Sequence, residues 1–407
     1  MLYQLFQAHA DMAVPVRMAA GLWSEWLRQS QSLFADPDDW RRRMAAACEV
    51  VTRTSVTHAR LPFGIDSVQV GNERVAVTEA VVDSTPFATL LHFAKDTGAP
   101  QPKLLVVAPM SGHFATLLRG TVRTALADND VYLTDWHNAR DVSTADGQFD
   151  FDDFTDHVIR FLERLGPDSH VLAVCQPTVA VLMAVALMAQ AGNPAQPRSM
   201  TLMAGPIDTR ISPTAVNDLA KQHSYDWFER NLICRVPLRY AGAGRRVYPG
   251  FLQLTAFMAM NKARHEQAFR DYHANLVAGE ASKAAVHEAF YDEYFAVMDM
   301  TAEFYLDTIA KVFQQHELPR GVMRFRDQLV EPAAIRRTAM LTVEGELDDI
   351  CAIGQTMAAH DLCTGLRPGM KRHHLQTGVG HYGVFNGRRW TNSIYPQVRD
   401  LIQSHAA

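Results

Sequence analysis

The sequence predicts an α/β protein, in which a mainly parallel β-sheet is covered by helices on both faces. Short apolar runs that suit buried strands alternate with longer segments that suit helices, from about residue 103 to residue 204. The same pattern returns near residue 339. This alternation is typical of βαβ units, whose parallel strands are buried on both sides.

The composition excludes several classes of protein. The chain has 407 residues, enough for one large α/β domain with an inserted region or for two domains. Its net charge of −5 gives no basic surface for nucleic acid. The five cysteines form no Cys-x-x-Cys pair, so we expect neither a disulfide framework nor a metal site. No apolar run reaches the ~18 residues of a membrane span, and the N-terminus lacks a secretory signal, so we expect a cytoplasmic protein.

Residues 1–60 are predicted to form two helical segments. The first continues through Trp26, and the second starts at Asp36–Trp40 and runs to residue 51. Apolar and aromatic side chains on one face are expected to pack on the main domain, although they could instead contact a separate apolar surface.

Six core strands are predicted after a hairpin at residues 67–77. They cover residues 103–108, 130–136, 171–174, 199–204, 339–343 and 371–376. Helices are expected up to residue 123, at 154–165 and 178–190, and at the C-terminus to about residue 405.

Between residues 211 and 328 the pattern is helical and rich in aromatic residues, with no convincing strand. We expect a helical cap (lid) over the carboxyl ends of the strands, where α/β proteins bind ligands. The predicted organisation is therefore an N-terminal helical segment (1–60), a core (61–210 and 331–407) and a cap (211–330).

Cys175 lies between a predicted strand and a predicted helix, which is the position of a nucleophile in a strand–turn–helix elbow. The positive end of the helix dipole favours a thiolate there. A small buried cysteine is the structural alternative. Asp348 and His381 follow later strands, and the order nucleophile, acid, histidine is that of α/β hydrolases. Spacing alone does not choose between Asp348 and its neighbour Asp349.

Backbone N–H groups are the expected oxyanion donors. One belongs to Gln176, which directly follows the candidate nucleophile, and another to Met110 or Ser111, after the first core strand.

Four stretches resemble the intracellular polyhydroxyalkanoate (polyhydroxybutyrate) depolymerases, and the opening residues 1–5 are similar too. They are residues 131–140 (VYLTDWHNAR), 173–177 (AVCQP), 344–350 (EGELDDI) with 354–356 (GQT), and 378–383 (GVGHYG). Ala173 and Pro177 occupy the glycine positions of the usual elbow, which matches the depolymerase form. The resemblance implies an α/β-hydrolase fold, the nucleophile Cys175, the acid Asp348 and the base His381.

The resemblance also implies a cytoplasmic enzyme that acts at the surface of stored polyester granules and hydrolyses the polymer through a thioester. No cofactor is expected, although coenzyme A could replace water as acyl acceptor, and a homo-oligomer stays open. An apolar polymer needs an apolar groove. Candidate contacts, each with a structural alternative, are His113, Trp136, Tyr248 and Phe251. Two rivals remain: a polyester-synthase-like acyltransferase, and an inactive granule-binding protein.

Overall fold

The structure is a computed structural model that describes residues 2–30, 40–98 and 100–406. The predicted start of the second helix at residues 36–39 lies outside these described residues. The first helix, Leu2–Ser30, and the second, Trp40–Arg53, have the predicted positions. Within the described ranges no helix is both long and apolar enough to cross a membrane.

The core is a nine-stranded sheet with the order β1-β2-β3-β5-β4-β6-β7-β8-β9. Its strands are β1 (Ser67–Val70), β2 (Glu73–Ser84), β3 (Ala88–Lys95), β4 (Lys103–Val107), β5 (Asp130–Trp136), β6 (Ser169–Val174), β7 (Ser199–Met203), β8 (Ala339–Gly345) and β9 (Lys371–Gln376). The first three strands and β5 pair antiparallel, and all pairings from β5 through β4 to β9 are parallel. The predicted mainly parallel sheet is confirmed.

The strand order reverses around β4, which pairs with β5 on one side and with β6 on the other. Chain connections therefore leave β4 and β6 in opposite directions, and a crevice opens at the carboxyl ends of these two strands. The loop of Met110 and Ser111 follows β4, and Cys175 follows β6. The topology thus brings the two segments to the same edge of the sheet.

Helices flank this sheet and form most of residues 211–330, which we call the cap segment. Those outside the cap segment, after the two N-terminal helices, are Arg119–Ala125, Phe151–Leu165, Pro177–Gln190, Ala359–Leu362, His381–Phe385, Gly387–Arg389 and Tyr395–His405. Those within it are Ala215–Gln222, Tyr225–Leu232, Gly250–Met260, Lys262–Ala278, Ala281–Phe295 and Ala302–Asp307.

The expectation of a cap segment without strands was wrong. A small three-stranded sheet joins Cys234–Arg235, Arg246–Tyr248 and Met300–Thr301, and Arg324–Phe325 pairs with Gln328–Leu329. Strands of two or three residues are too short to show the alternation by which a strand is recognised in a sequence.

A buried carboxylate joins the N-terminal helix, the cap segment and the core. The Tyr3 hydroxyl donates to Asp299 (2.6 Å), and the backbone N–H of Gly250 donates to the other oxygen (2.9 Å). The backbone N–H of Asp299 in turn donates to the side chain of Asn138 after β5 (3.0 Å). A buried carboxylate needs such partners, so these contacts fix how the three parts pack. The opposite side of the N-terminal helix leaves Trp23 and Trp26 about 60% exposed.

The helix Pro177–Gln190 is buried along nearly its whole length and begins with a proline. Its first turn packs against Gly205 after β7, where an added Cβ would overlap the side chain of Thr178. Gly205 itself donates a hydrogen bond from its N–H to Thr356 (2.8 Å). The close approach leaves no room for a side chain, so the glycine sets the distance between this helix and the end of β7.

We predict that Gly205→Ala lowers the free energy of unfolding by about 1–3 kcal/mol, because the new methyl group overpacks the first turn of the helix. Urea unfolding followed by circular dichroism measures the change. Gly369→Ala is the matched control, since no atom lies within 4 Å of its added Cβ. Equal unfolding midpoints for the two variants would show that the contact between Gly205 and Thr178 is not tight.

Candidate active site

Cys175 lies at a sharp turn between β6 and the helix Pro177–Gln190, as the sequence predicts. Its φ is +67°, a left-handed conformation that non-glycine residues rarely adopt. The N–H of Cys175 donates to Met203 O on β7 (2.8 Å), and its carbonyl accepts from the Thr178 hydroxyl (2.9 Å). These bonds hold the strained residue, and Cys175 as a whole is partly exposed.

Asp348 and His381 are in direct contact. The Nδ1–H of His381 donates to Asp348 Oδ2 (2.8 Å), and Asp348 Oδ1 accepts from the N–H groups of Ile350 (2.9 Å) and Cys351 (2.8 Å). Asp349 instead accepts from Asn261 (2.9 Å). The structure therefore selects Asp348 as the partner of the imidazole. His381 is the first residue of the short helix His381–Phe385, which follows β9.

The third contact of this group joins His381 to the thiol of Cys175. Because Nδ1 faces Asp348, Nε2 is the nitrogen that faces the sulfur. Burial alone would lower the pKa of His381, but the charges of Asp348 and Cys175 raise this pKa well above its usual value. The pKa of Cys175 lies well below its usual value, through a hydrogen bond from the Cys351 thiol and the charge of His381. Both shifts favour a thiolate–imidazolium pair.

The predicted oxyanion donors are the N–H of Gln176, next to the thiol, and an N–H of the loop that follows β4. The N–H of Gln176 points to the Cys175 sulfur. Within the described part of the chain, the N–H groups of Met110, Ser111 and Gln176 donate to no carbonyl oxygen. The next residue, Gly112, accepts from Met298 of the cap segment (2.9 Å). These N–H groups are therefore available to an oxyanion.

The acid loop is supported by Glu344, a fully buried carboxylate at the end of β8. It accepts from the N–H groups of Gly354 (2.9 and 3.0 Å), Thr356 (2.8 Å) and Met357 (2.9 Å). Several N–H donors stabilise a buried carboxylate, and they fix the path of residues 354–357. The loop that carries Asp348 is thereby held at both of its ends.

Three residues of the candidate site escaped the sequence analysis. Cys351 contacts Cys175, Glu344 holds the acid loop, and Tyr382 is a hydrogen-bond partner of Tyr294 from the cap segment. Cys351 lies three residues after Asp348, and Tyr382 directly follows His381. This closeness to two predicted catalytic residues was the signal that could have found them. Glu344 at the end of an apolar strand is a second signal, because a charge in such a strand needs partners.

The four candidate substrate contacts lie in packed surroundings. The Nε2–H of His113 donates to Tyr294 O (3.1 Å), and burial lowers the pKa of His113 to about 4. Trp136 donates to Ala108 O (2.8 Å) and is 1% exposed. Tyr248 stacks on Tyr305 (3.9 Å between ring centroids), and Phe251 stacks on Phe6 (3.8 Å). None of the four lines the cavity that reaches His381.

A cavity of about 800 Å³ reaches His381 from the cap segment. Its wall includes Asp349 and Tyr382 from the core and Phe257, Phe290 and Tyr294 from the cap segment. The volume is that of a typical small-molecule site, and the wall combines Phe and Tyr rings with polar and charged side chains. A second cavity of similar size lies between helices Trp40–Arg53 and Lys262–Ala278 and does not reach His381. The described residues hold no cluster of three or more His, Cys, Asp or Glu that could bind a metal.

The sheet order, the elbow at Cys175 and the Asp348–His381 pair at later strand ends define the class: this is an α/β hydrolase. Similar solved structures include a putative lipase from Acinetobacter baumannii AYE (12% identity, 81% of this chain, 93% of that chain, TM-score 0.42). Another is 2-hydroxy-6-oxo-6-phenylhexa-2,4-dienoate hydrolase from Rhodococcus sp. strain RHA1 (11% identity, 81% of this chain, 99% of that chain, TM-score 0.45). A third is the putative non-heme bromoperoxidase BpoC from Mycobacterium tuberculosis H37Rv (12% identity, 84% of this chain, 98% of that chain, TM-score 0.46).

The family is given by the C-terminal half of the sequence. Residues 204–406 match the family model described as PHB de-polymerase C-terminus. The chain belongs to this PHB depolymerase family, and the resemblance found in its motifs is confirmed. This membership supports a carboxylic ester hydrolase activity. A search of curated proteins found no match.

We predict that iodoacetamide alkylates Cys175 with a pH midpoint well below the ~8.5 of an ordinary cysteine. Thiolate is the reactive form, and the lowered pKa of Cys175 keeps it present at neutral pH. In His381→Gln the positive charge is lost, so the pKa rises and the rate at pH 7 falls about tenfold or more. Peptide mapping follows each cysteine separately.

Cys234 serves as the internal control for this measurement, because burial raises the pKa of its thiol. A rate of Cys175 that matches Cys234 at pH 7, or that is unchanged in His381→Gln, would contradict the ion pair.

Proposed function

We propose that the protein is an intracellular depolymerase that cleaves the ester bonds of stored poly(3-hydroxybutyrate) or a related polyhydroxyalkanoate. Cys175 is the nucleophile, His381 the base and Asp348 the acid that orients it. The observation that carries the proposal is the set of contacts from Asp348 through His381 to the strained Cys175. Membership of the PHB depolymerase family supports the choice of polymer.

The first half of the reaction is acylation. The Cys175 thiolate attacks the carbonyl carbon of a 3-hydroxyacyl ester, and the carbonyl oxygen becomes an oxyanion. The N–H of Gln176 and an N–H of the Met110–Ser111 loop stabilise that charge. The intermediate collapses when His381 gives its proton to the leaving alkoxide, which departs as the hydroxyl end of the shortened polymer. A thioester on Cys175 remains.

The second half releases the acyl group. Neutral His381 takes a proton from water, and the resulting hydroxide attacks the thioester carbonyl. The C–S bond breaks, and the thiolate returns with a free 3-hydroxy acid or a short oligomer. Asp348 keeps Nδ1 protonated and stabilises the imidazolium in both halves. Coenzyme A is an alternative acceptor that would give a hydroxyacyl thioester by the same step.

The path of the polymer follows the cavity that reaches His381. Its wall of Phe257, Phe290 and Tyr294 suits an apolar, extended chain. These residues belong to the cap segment, so we propose that the cap segment acts as a lid over the triad. His113, whose ring packs against Phe257 and Tyr294, then supports this wall from behind.

The polymer is solid, so the enzyme works at a granule surface in the cytoplasm. The outward side of the N-terminal helix exposes Leu22, Trp23 and Trp26 by 61–68%. We propose that this apolar side contacts the granule, since aromatic and aliphatic groups gain most from leaving water.

We predict that Cys175→Ala loses about a thousandfold or more of the activity on native amorphous polyester granules, because the nucleophile is absent. Cys234→Ala is the matched control and keeps its activity, as Cys234 lies in the small sheet of the cap segment. Released 3-hydroxy acid, measured with and without coenzyme A, is the readout.

The products also separate the alternatives. Hydroxyacyl-coenzyme A formed only when coenzyme A is added would show thiolysis, and growth of polymer from hydroxyacyl-coenzyme A would show a synthase. Granule binding without any product would show an inactive binding protein. Full activity in Cys175→Ala would contradict the assigned nucleophile.

A further inference from the structure

We infer that Cys175 and Cys351 form a reversible disulfide that blocks the active site under oxidising conditions. The inference rests on the proposed function only in that Cys175 is taken as the nucleophile. Nothing in the hydrolytic reaction requires a second thiol. The structure nevertheless places one against the first.

The two sulfur atoms are hydrogen-bond partners, although 176 positions separate them in the sequence. Cys175 ends β6, and Cys351 lies in the loop after β8, two strands away across the sheet. The acid loop turns back over the end of β7 to bring them together. Cys351 is held there by its own N–H, which donates to Asp348 Oδ1 (2.8 Å).

The two thiols differ in exposure and in charge. Cys175 is partly exposed and Cys351 is 2% exposed, so an oxidant from solvent reaches Cys175 first. The hydrogen bond between them lowers the pKa of Cys175 and raises that of Cys351 well above its usual value. A reactive thiolate beside a shielded thiol is the usual arrangement of a peroxide-sensitive cysteine and its resolving partner.

The loop can supply the small movement that bonding requires. A disulfide needs the sulfur atoms at about 2.05 Å, closer than a hydrogen bond. Glu344 fixes the N–H groups of Gly354, Thr356 and Met357, whereas Ile353, nearer to Cys351, is 41% exposed. Within residues 349–353, Asp349 and Ile353 are exposed, and the side chains that hold the stretch from the cap segment are Asn261 and Thr214. The loop, rather than the sheet, therefore takes up the movement.

The oxidant we name is hydrogen peroxide. The Cys175 thiolate attacks one peroxide oxygen: an S–O bond forms, the O–O bond breaks, and the leaving hydroxide takes a proton to become water. Cys351 sulfur then attacks Cys175 sulfur, so that the S–S bond forms and the S–O bond breaks. The second hydroxide leaves as water with the thiol proton. The sulfur pair loses two electrons, and the peroxide gains them.

The blocked enzyme has no nucleophile, because the Cys175 sulfur is consumed in the S–S bond. A dithiol such as dithiothreitol reverses the bond by thiol–disulfide exchange. Cys351 also protects the nucleophile, since a sulfenic acid that is not resolved proceeds to the irreversible sulfinic acid.

The test treats the purified full-length protein with excess hydrogen peroxide, blocks the remaining thiols and maps the peptides by mass spectrometry. We expect a cross-link between the tryptic peptide of Cys175 and that of Cys351. The latter peptide also carries Cys363. Cys363→Ser is therefore the matched control: Cys363 is buried like Cys351, and the cross-link must persist without it.

Hydrolytic activity is the second readout, expressed relative to each variant's own untreated rate. We expect wild type and Cys363→Ser to lose about tenfold or more of their activity and to regain it with dithiothreitol. Cys351→Ser should be inactivated without recovery, because Cys175 over-oxidises. Absence of the Cys175–Cys351 cross-link in wild type, or recovery of Cys351→Ser equal to that of wild type, would overturn the inference.

The cross-link is measured without any substrate, so this result and the proposed function can fail separately. A cross-link in a protein that hydrolyses no ester would reject the proposed function alone. An active enzyme without the cross-link would reject the disulfide alone.

Discussion

The architecture of the site depends on one strained turn, the left-handed backbone at Cys175. A cysteine keeps a φ of +67° only where surrounding contacts outweigh the strain. Here both the N–H and the carbonyl of Cys175 are hydrogen-bonded. The N–H of Cys175 is bound to β7, and the carbonyl is bound to the first turn of the following helix. That helix can approach β7 so closely because residue 205 is a glycine. The turn presents the sulfur to His381 at the carboxyl ends of the paired strands β4 and β6.

Around this turn, buried carboxylates position the other parts. Asp348 orients His381, Glu344 shapes the loop that carries Asp348, and Asp299 joins the N-terminal helix to the cap segment and the core. Each carboxylate accepts several hydrogen bonds, as a buried charge must. The fold therefore gives the reacting groups little freedom, which suits a reaction that depends on positioned hydrogen-bond donors.

Much of the fold could be predicted from the sequence, because its main strands and helices appear as long apolar or periodic runs of residues. The strands that end before Met110, Cys175 and Asp348 are apolar runs, and the helix after Cys175 is apolar on all sides. Spacing alone could not choose Asp348 over Asp349 as the partner of His381, since adjacent residues differ only in the direction of their side chains. The family resemblance pointed to Asp348, and the contact with His381 agrees with it. The short strands of the cap segment also escaped prediction, because two residues carry no periodicity.

Contacts between segments that are far apart in the sequence also could not be predicted. The sequence shows no link between Cys351 and Cys175, because their contact forms only when the loop after β8 folds over the end of β7. Trp136 and Tyr248 were candidate substrate contacts, and only the structure shows that both are buried against other side chains. Pattern and spacing report on neighbours along the chain. The identity of a cavity wall depends on which helices of the cap segment face the triad, and that is set by buried contacts such as those of Asp299.

The proposed covalent thioester on Cys175 can be observed directly during turnover. Rapid quenching in acid after mixing the protein with an activated 3-hydroxybutyryl ester, followed by peptide mass spectrometry, detects that intermediate. We predict a 3-hydroxybutyryl group on the peptide of Cys175, which appears within one turnover and decays as the acid is released. Turnover with no adduct on Cys175, or with the acyl group on another residue such as Ser111, would contradict the account.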